Sequence, residues 1–125
     1  MLDHVSIGVK DVAASRRFYD AALKPLGYEC LDPGDTQAGY GRKSPVLWLG
    51  QTDHPVKADM RSGLHFCFTA DSREAVDAFY KEALRMGGTD NGKPGIRPDY
   101  TQPYYAVFVV DPDGYWLEAY CNKKA

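Results

Sequence analysis

The sequence predicts an α+β fold in which two paired βαβββ modules form a curved mixed-sheet cup with the helices outside. Three observations carry this. The chain repeats itself. Sliding it so that His4 falls on His65 also puts Phe18 on Phe79, Tyr19 on Tyr80, Ala22 on Ala83, Leu23 on Leu84 and Gly27 on Gly88, with no gap. Each copy opens with an alternating apolar and polar segment, and each then passes into a stretch of helical spacing. The 125 residues therefore read as one domain made of two repeats, about 1–60 and 61–125.

Taken in order, Leu2–Val9 is the first strand, with Val5, Ile7 and Val9 on one face and His4, Ser6 and Gly8 on the other. Asp11 caps the helix that follows. Ser15, Phe18, Tyr19, Ala22 and Leu23 form its inner stripe, and Pro25 with Gly27 ends it. Tyr28–Leu31, Ala38–Gly41 and Pro45–Leu49 read as the three return strands, and 51–61 as the link between modules. In the second module, Leu64–Thr69 alternates with Leu64, Phe66 and Phe68 on one face and His65, Cys67 and Thr69 on the other. Asp71 and Glu74 read as a capping box, Val76, Phe79, Tyr80, Ala83 and Leu84 as the inner stripe, and Gly87-Gly88 as the stop. A strand after this helix leaves little signal. The Gly- and Pro-rich segment 92–103 reads as a long loop that covers a binding site. Tyr104–Asp111 and Tyr115–Cys121 read as a hairpin around Asp111-Pro112-Asp113-Gly114, whose proline, aspartates and glycine are turn formers.

Composition limits the function. A net charge of −2 carries no basic footprint for nucleic acid. The longest apolar run, Tyr104–Val110, falls far short of the roughly 20 residues that span a bilayer. Three cysteines without close pairing fit a reducing compartment, and Met1-Leu2-Asp3-His4 does not open a signal peptide, so a cytoplasmic protein is expected.

Within the last strand, Trp116, Glu118 and Tyr120 share one face. A glutamate in so apolar a strand is either exposed or held by something positive. If the two sheets curl toward each other, His4, His65 and Glu118 face one cavity. Two imidazoles and a carboxylate hold Zn, Ni, Mn or Fe(II) with open positions for water or substrate. The plainer alternative is two satisfied histidines and a solvated glutamate. The equivalent placement of the two histidines favours the metal.

The landmarks Asp3-His4-Val5-Ser6-Ile7, Phe18-Tyr19, Leu64-His65-Phe66 and Asp111-Pro112-Asp113-Gly114 through Leu117-Glu118 resemble those of the vicinal oxygen chelate superfamily. That superfamily holds glyoxalase I, extradiol dioxygenases, fosfomycin-resistance thiol transferases and bleomycin-resistance proteins. The resemblance implies paired βαβββ modules, one divalent metal chelated by vicinal substrate oxygens, and ligand roles for His4, His65 and Glu118. Glyoxalase I uses a fourth ligand, a carboxylate from the last strand of the first module. Trp48 is the expected equivalent here, and no acidic residue lies in Pro45-Val46-Leu47-Trp48-Leu49.

Other candidates surround this set. Arg97, Asp99, Tyr100, Tyr104 and Tyr105 lie in or beside the long loop. A tyrosine there can donate to a bound oxygen, and Arg97 can meet a carboxylate or phosphate. Trp48, Trp116 and Tyr120 can line the cup and stack on a ligand; packing is the alternative for each. Cys67 shares the His65 face, and His54 reads as a surface residue. The expected partners are a small oxygen-rich substrate, with glutathione or another thiol as a possible co-substrate, and a second copy in a homodimer. Three functions follow: a metal-dependent lyase, isomerase or thiol transferase; an Fe(II) extradiol-type dioxygenase; or a metal-free drug-binding protein.

Overall fold

The repeat of sequence is a repeat of structure. The computed structural model describes residues 1–59, 61–97 and 103–123. The first module runs β1 (Val5–Val9), α1 (Val12–Leu23), a 3-10 turn (Lys24–Leu26), β2 (Glu29–Asp32), β3 (Gln37–Gly41) and β4 (Pro45–Gln51). The second runs β5 (His65–Thr69), α2 (Arg73–Arg85), β6 (Thr89–Ile96), β7 (Tyr105–Val110) and β8 (Trp116–Cys121). Each forms its own four-stranded mixed sheet, ordered β1-β4-β3-β2 and β5-β8-β7-β6. The first strand pairs parallel with the last in each sheet, and the other pairings are antiparallel. The α+β class and the two βαβββ modules are as the sequence predicts.

Local chemistry explains the helices. The Asp11 side chain accepts from the Ala14 amide at 3.2 Å and caps α1. Val12, Phe18, Tyr19, Ala22 and Leu23 are all fully buried. The 3-10 turn ends at Gly27, whose φ of +84° suits a residue without Cβ. In α2 the cap is Ser72, which accepts from the Ala75 amide at 3.1 Å, and not the Asp71 expected from the sequence. Asp71 points instead to Arg42, at 3.6 Å across exposed surface. Phe18 and Phe79, equivalent in the repeat, are both fully buried. At about 1.5–3 kcal/mol for each buried ring, this packing outweighs either cap, worth about 1 kcal/mol.

The expected loop over 92–103 is corrected in part. Residues up to Ile96 belong to β6, which pairs with β7. The strand accepts Gly92, Pro94 and Gly95 because it lies at a sheet edge and its register shifts between Asp90 and Gly92 and again between Gly92 and Gly95. Asp99 and Tyr100 lie outside the described residues.

The modules share one hydrophobic core, to which both helices and both sheets contribute. Besides the packing of α1 on α2, two sets of side-chain contacts among the described residues help tie them. The β7–β8 turn docks on the first module: Tyr19 donates to the Asp111 carboxylate, Ser15 donates to Asp113 at 3.0 Å, and Tyr115 donates to the Gly8 carbonyl at 2.7 Å. On the other side Tyr28 meets Phe68 edge-on, with ring centres 5.8 Å apart. No helix among the described residues is long and apolar enough to cross a membrane.

Candidate metal centre

On the open face of the second sheet, register places Glu118 of β8 between Cys67 of β5 and Phe108 of β7. Only 4% of Glu118 is exposed, so its charge needs partners. It has two. Its Oε1 lies 3.3 Å from Nε2 of His65, an imidazole whose side chain is 49% exposed. Its Oε2 accepts from the Tyr104 hydroxyl. The Tyr104 ring stacks on Tyr120, with centres 4.7 Å apart and planes 12° from parallel. Burial, then the hydrogen bond to Glu118, raises the Tyr104 hydroxyl above its ordinary pKa and keeps it a donor. Burial, followed by the Glu118 charge, pushes the Cys67 thiol up to about 12, so it stays protonated at neutral pH.

The first sheet's open face is built differently. Ser6, Gly8 and Gly50 are small, and with His4, Gln37 and Trp48 they line a hollow of about 520 Å³. Trp48 is half-buried and lies on the Gly39 backbone; a Cβ at Gly39 would come within 2.9 Å of the indole. Register settles its equivalence: Ser6 faces Trp48 as Cys67 faces Glu118. The place of the carboxylate in the second module is thus held by an indole in the first. His4 stands just before β1, and its Nδ1 lies 2.7 Å from Asp3 Oδ2. A proton held there on Nδ1 leaves Nε2 free to donate a lone pair.

His4 and His65 both border a groove of about 360 Å³ that Val5 and Phe66 also line. Among the described residues no three His, Cys, Asp or Glu side chains gather around one point. One chain therefore brings His65 to Glu118 but does not add His4.

The remaining candidates divide. Trp116 and Tyr120 are half-buried on β8, and alternation puts them on the Glu118 face. The Arg97 guanidinium lies 5.3 Å from the Phe108 ring centre and donates to the Ala106 carbonyl at 3.2 Å. Tyr105 turns to the helix side, donating to Asp77 at 2.6 Å beneath Arg73. Tyr100 lies outside the described residues. His54 is exposed, as expected. Two roles had escaped the sequence reading. Asp3 as the partner of His4 was signalled only by adjacency. The docking of Asp111 and Asp113 on α1 was hidden because both residues already suit a turn.

A family model for the Glyoxalase/Bleomycin resistance protein/Dioxygenase superfamily matches residues 1–119. The chain belongs to that superfamily. Among solved relatives of the superfamily, the glyoxalase/bleomycin resistance protein from Albidiferax ferrireducens T118 is 28% identical, with a TM-score of 0.83 over 97% of this chain and 98% of that one. The uncharacterized protein YqjT of Bacillus subtilis is 28% identical over 117 residues, 90% of this chain and 91% of its own length. The fosfomycin resistance protein FosX from Mesorhizobium loti has a TM-score of 0.72 over 98% of this chain and 92% of its own, at 14% identity, and so shares the fold alone. The superfamily includes enzymes, and its fold here presents a histidine–carboxylate pair on one sheet and a histidine beside a hollow on the other.

Proposed function

We propose that this superfamily member is a divalent-metal-dependent enzyme whose centre takes His65 and Glu118 from one copy and His4 from a second. The observation that carries the reading is the His65–Glu118 pair, a buried carboxylate beside an accessible imidazole on the open face of a sheet. His4, with Nδ1 engaged by Asp3, offers the missing nitrogen donor. The contacts of Tyr19, Ser15 and Tyr115 oppose any swing that would bring His4 across within one chain. A homodimer supplies it without breaking them.

Two imidazole nitrogens and one carboxylate oxygen suit Zn, Ni, Mn or Fe(II). When bound, such an ion supplies Lewis acidity toward a substrate oxygen. The chain's own part is to hold and orient. The Trp48 face and the small residues around it form the hollow for the body of a small oxygen-rich substrate, and Gln37 offers an amide for hydrogen bonds. Among the described residues that lining includes no Lys or Arg. An anionic thiol such as glutathione would thus need cationic contacts from elsewhere, for which Arg97 is available on the second sheet.

The test is metal content together with melting curves in Zn, Ni, Mn and Fe(II). One ion per chain is expected. At a hundredfold over its dissociation constant the ion should add about 2.7 kcal/mol, a melting rise of roughly 10 °C. Glu118→Gln should lose most of that rise. Iron with oxygen uptake on a catechol would select the dioxygenase; Zn, Ni or Mn would select the lyase, isomerase or transferase. Wild-type protein with neither bound metal nor a metal-dependent shift would overturn the proposal and leave a binding protein built around the Trp48 hollow.

A further inference from the structure

We infer that Tyr104 is a positioning residue that makes Glu118 a one-oxygen donor. The inference rests on the metal reading above and adds to it a group outside the donor set. Tyr104 precedes β7 and reaches the middle of β8, where its hydroxyl donates to Glu118 Oε2. Stacking on Tyr120 fixes the ring that carries this hydroxyl. Tyr120 lies two residues beyond Glu118 and on the same face, so the platform and the carboxylate belong to one strand. The carboxylate's two oxygens are thereby divided. Oε2 is committed to Tyr104, and Oε1 faces His65 Nε2. Turning the carboxylate would break the tyrosine bond, and chelation through both oxygens would have to share Oε2 with it. A single oxygen beside imidazole suits the transition ions named above; two-oxygen chelation is the habit of larger hard cations such as Ca²⁺.

The neighbouring residue supplies the control. Tyr105 follows Tyr104 in sequence, yet its hydroxyl goes to Asp77 of α2. Removing that hydroxyl tests the loss of a tyrosine hydrogen bond at the same strand end, without touching Glu118.

The experiment titrates Zn²⁺ into the full-length apo protein as wild type, Tyr104→Phe, Tyr105→Phe, Glu118→Gln and the Tyr104→Phe/Glu118→Gln double variant. Tyr104→Phe is expected to weaken Zn²⁺ binding about 10–100-fold, with the apo protein still cooperatively folded. The absorption bands of the Co²⁺-loaded protein should shift as the carboxylate changes its mode of binding. Tyr105→Phe should bind as wild type does. In the Glu118→Gln background the tyrosine change should cost nothing further, because Tyr104 acts through that carboxylate. If the wild type binds Zn²⁺ and Tyr104→Phe binds it equally, or if the double variant shows the two losses simply added, the role of Tyr104 is overturned while the metal reading stands. A wild type that binds no metal overturns the metal reading itself.

Discussion

Asp111 is a buried carboxylate with no part in the candidate centre, and it shows what the Asp-Pro-Asp-Gly turn does beyond turning. It accepts from Tyr19 on α1, from the Asp113 amide at 2.9 Å and from the Tyr115 amide at 2.8 Å. Asp111→Ala would leave a buried hydroxyl and two amides without it, at about 1–3 kcal/mol in a denaturation experiment. Burial raises the carboxyl above the usual range; the bonds from Tyr19 and the Tyr115 amide pull it down only in part, and the Asp113 charge adds to the rise. The folded state thus keeps this proton to higher pH than the unfolded state. The stability the group lends is full below its unfolded pKa, near 4, and is lost as pH rises through the folded value. Wild-type stability relative to Asp111→Asn should therefore decline with pH in a urea series starting near pH 4. A gap that widens with pH would mean the fold favours the charged carboxylate.

The helix starts show how far the pattern of an element reads from sequence. The stripes of both helices were legible because apolar residues at a period near 3.6 leave one arrangement that buries them, and Phe18, Phe79, Ala22 and Ala83 are fully buried at equivalent places. The second cap was misread by one residue, since Asp71 and Ser72 both carry a capping oxygen and only the backbone angle at Ser72 decides between them. Ser72→Ala should cost about 1 kcal/mol. Asp71→Ala, which removes only an exposed 3.6 Å pair with Arg42, should stay within about 0.5 kcal/mol of wild type. Thermal melts of the two variants decide it, and the reverse order would return the cap to Asp71. Strand β6 was illegible for another reason. Its residues Gly92, Lys93, Pro94 and Gly95 carry no alternation, and the strand exists because β7 offers an edge for its backbone to pair with.

At the scale of the whole molecule, the repeat identified the modules and left open how they meet. Equivalent positions say that His4 and His65 play matching parts; they do not say in which chain the parts combine. The contacts that fix the pairing are made by Ser15 and Tyr19, which suit a core stripe, and by Asp111 and Asp113, which suit a turn, so nothing in their pattern announced them. With those contacts made, one chain holds His65 beside Glu118 and leaves His4 with Asp3. A centre shared between two copies has a consequence that a one-chain centre lacks. His4→Ala and Glu118→Gln should each abolish tight Zn²⁺ binding alone. Mixed and allowed to exchange subunits, they should recover it, because a hybrid dimer unites His4 of the Glu118→Gln copy with His65 and Glu118 of the His4→Ala copy. Random pairing makes half the dimers hybrid with one of two sites intact, so about one quarter of the wild-type sites should return. Zn²⁺ titration of the exchanged mixture measures this fraction, with size-exclusion chromatography confirming the dimer. Recovery near that value requires ligands from both copies, whereas a mixture as inert as its parents, beside a wild type that binds one ion per chain, would place all three ligands in a single chain.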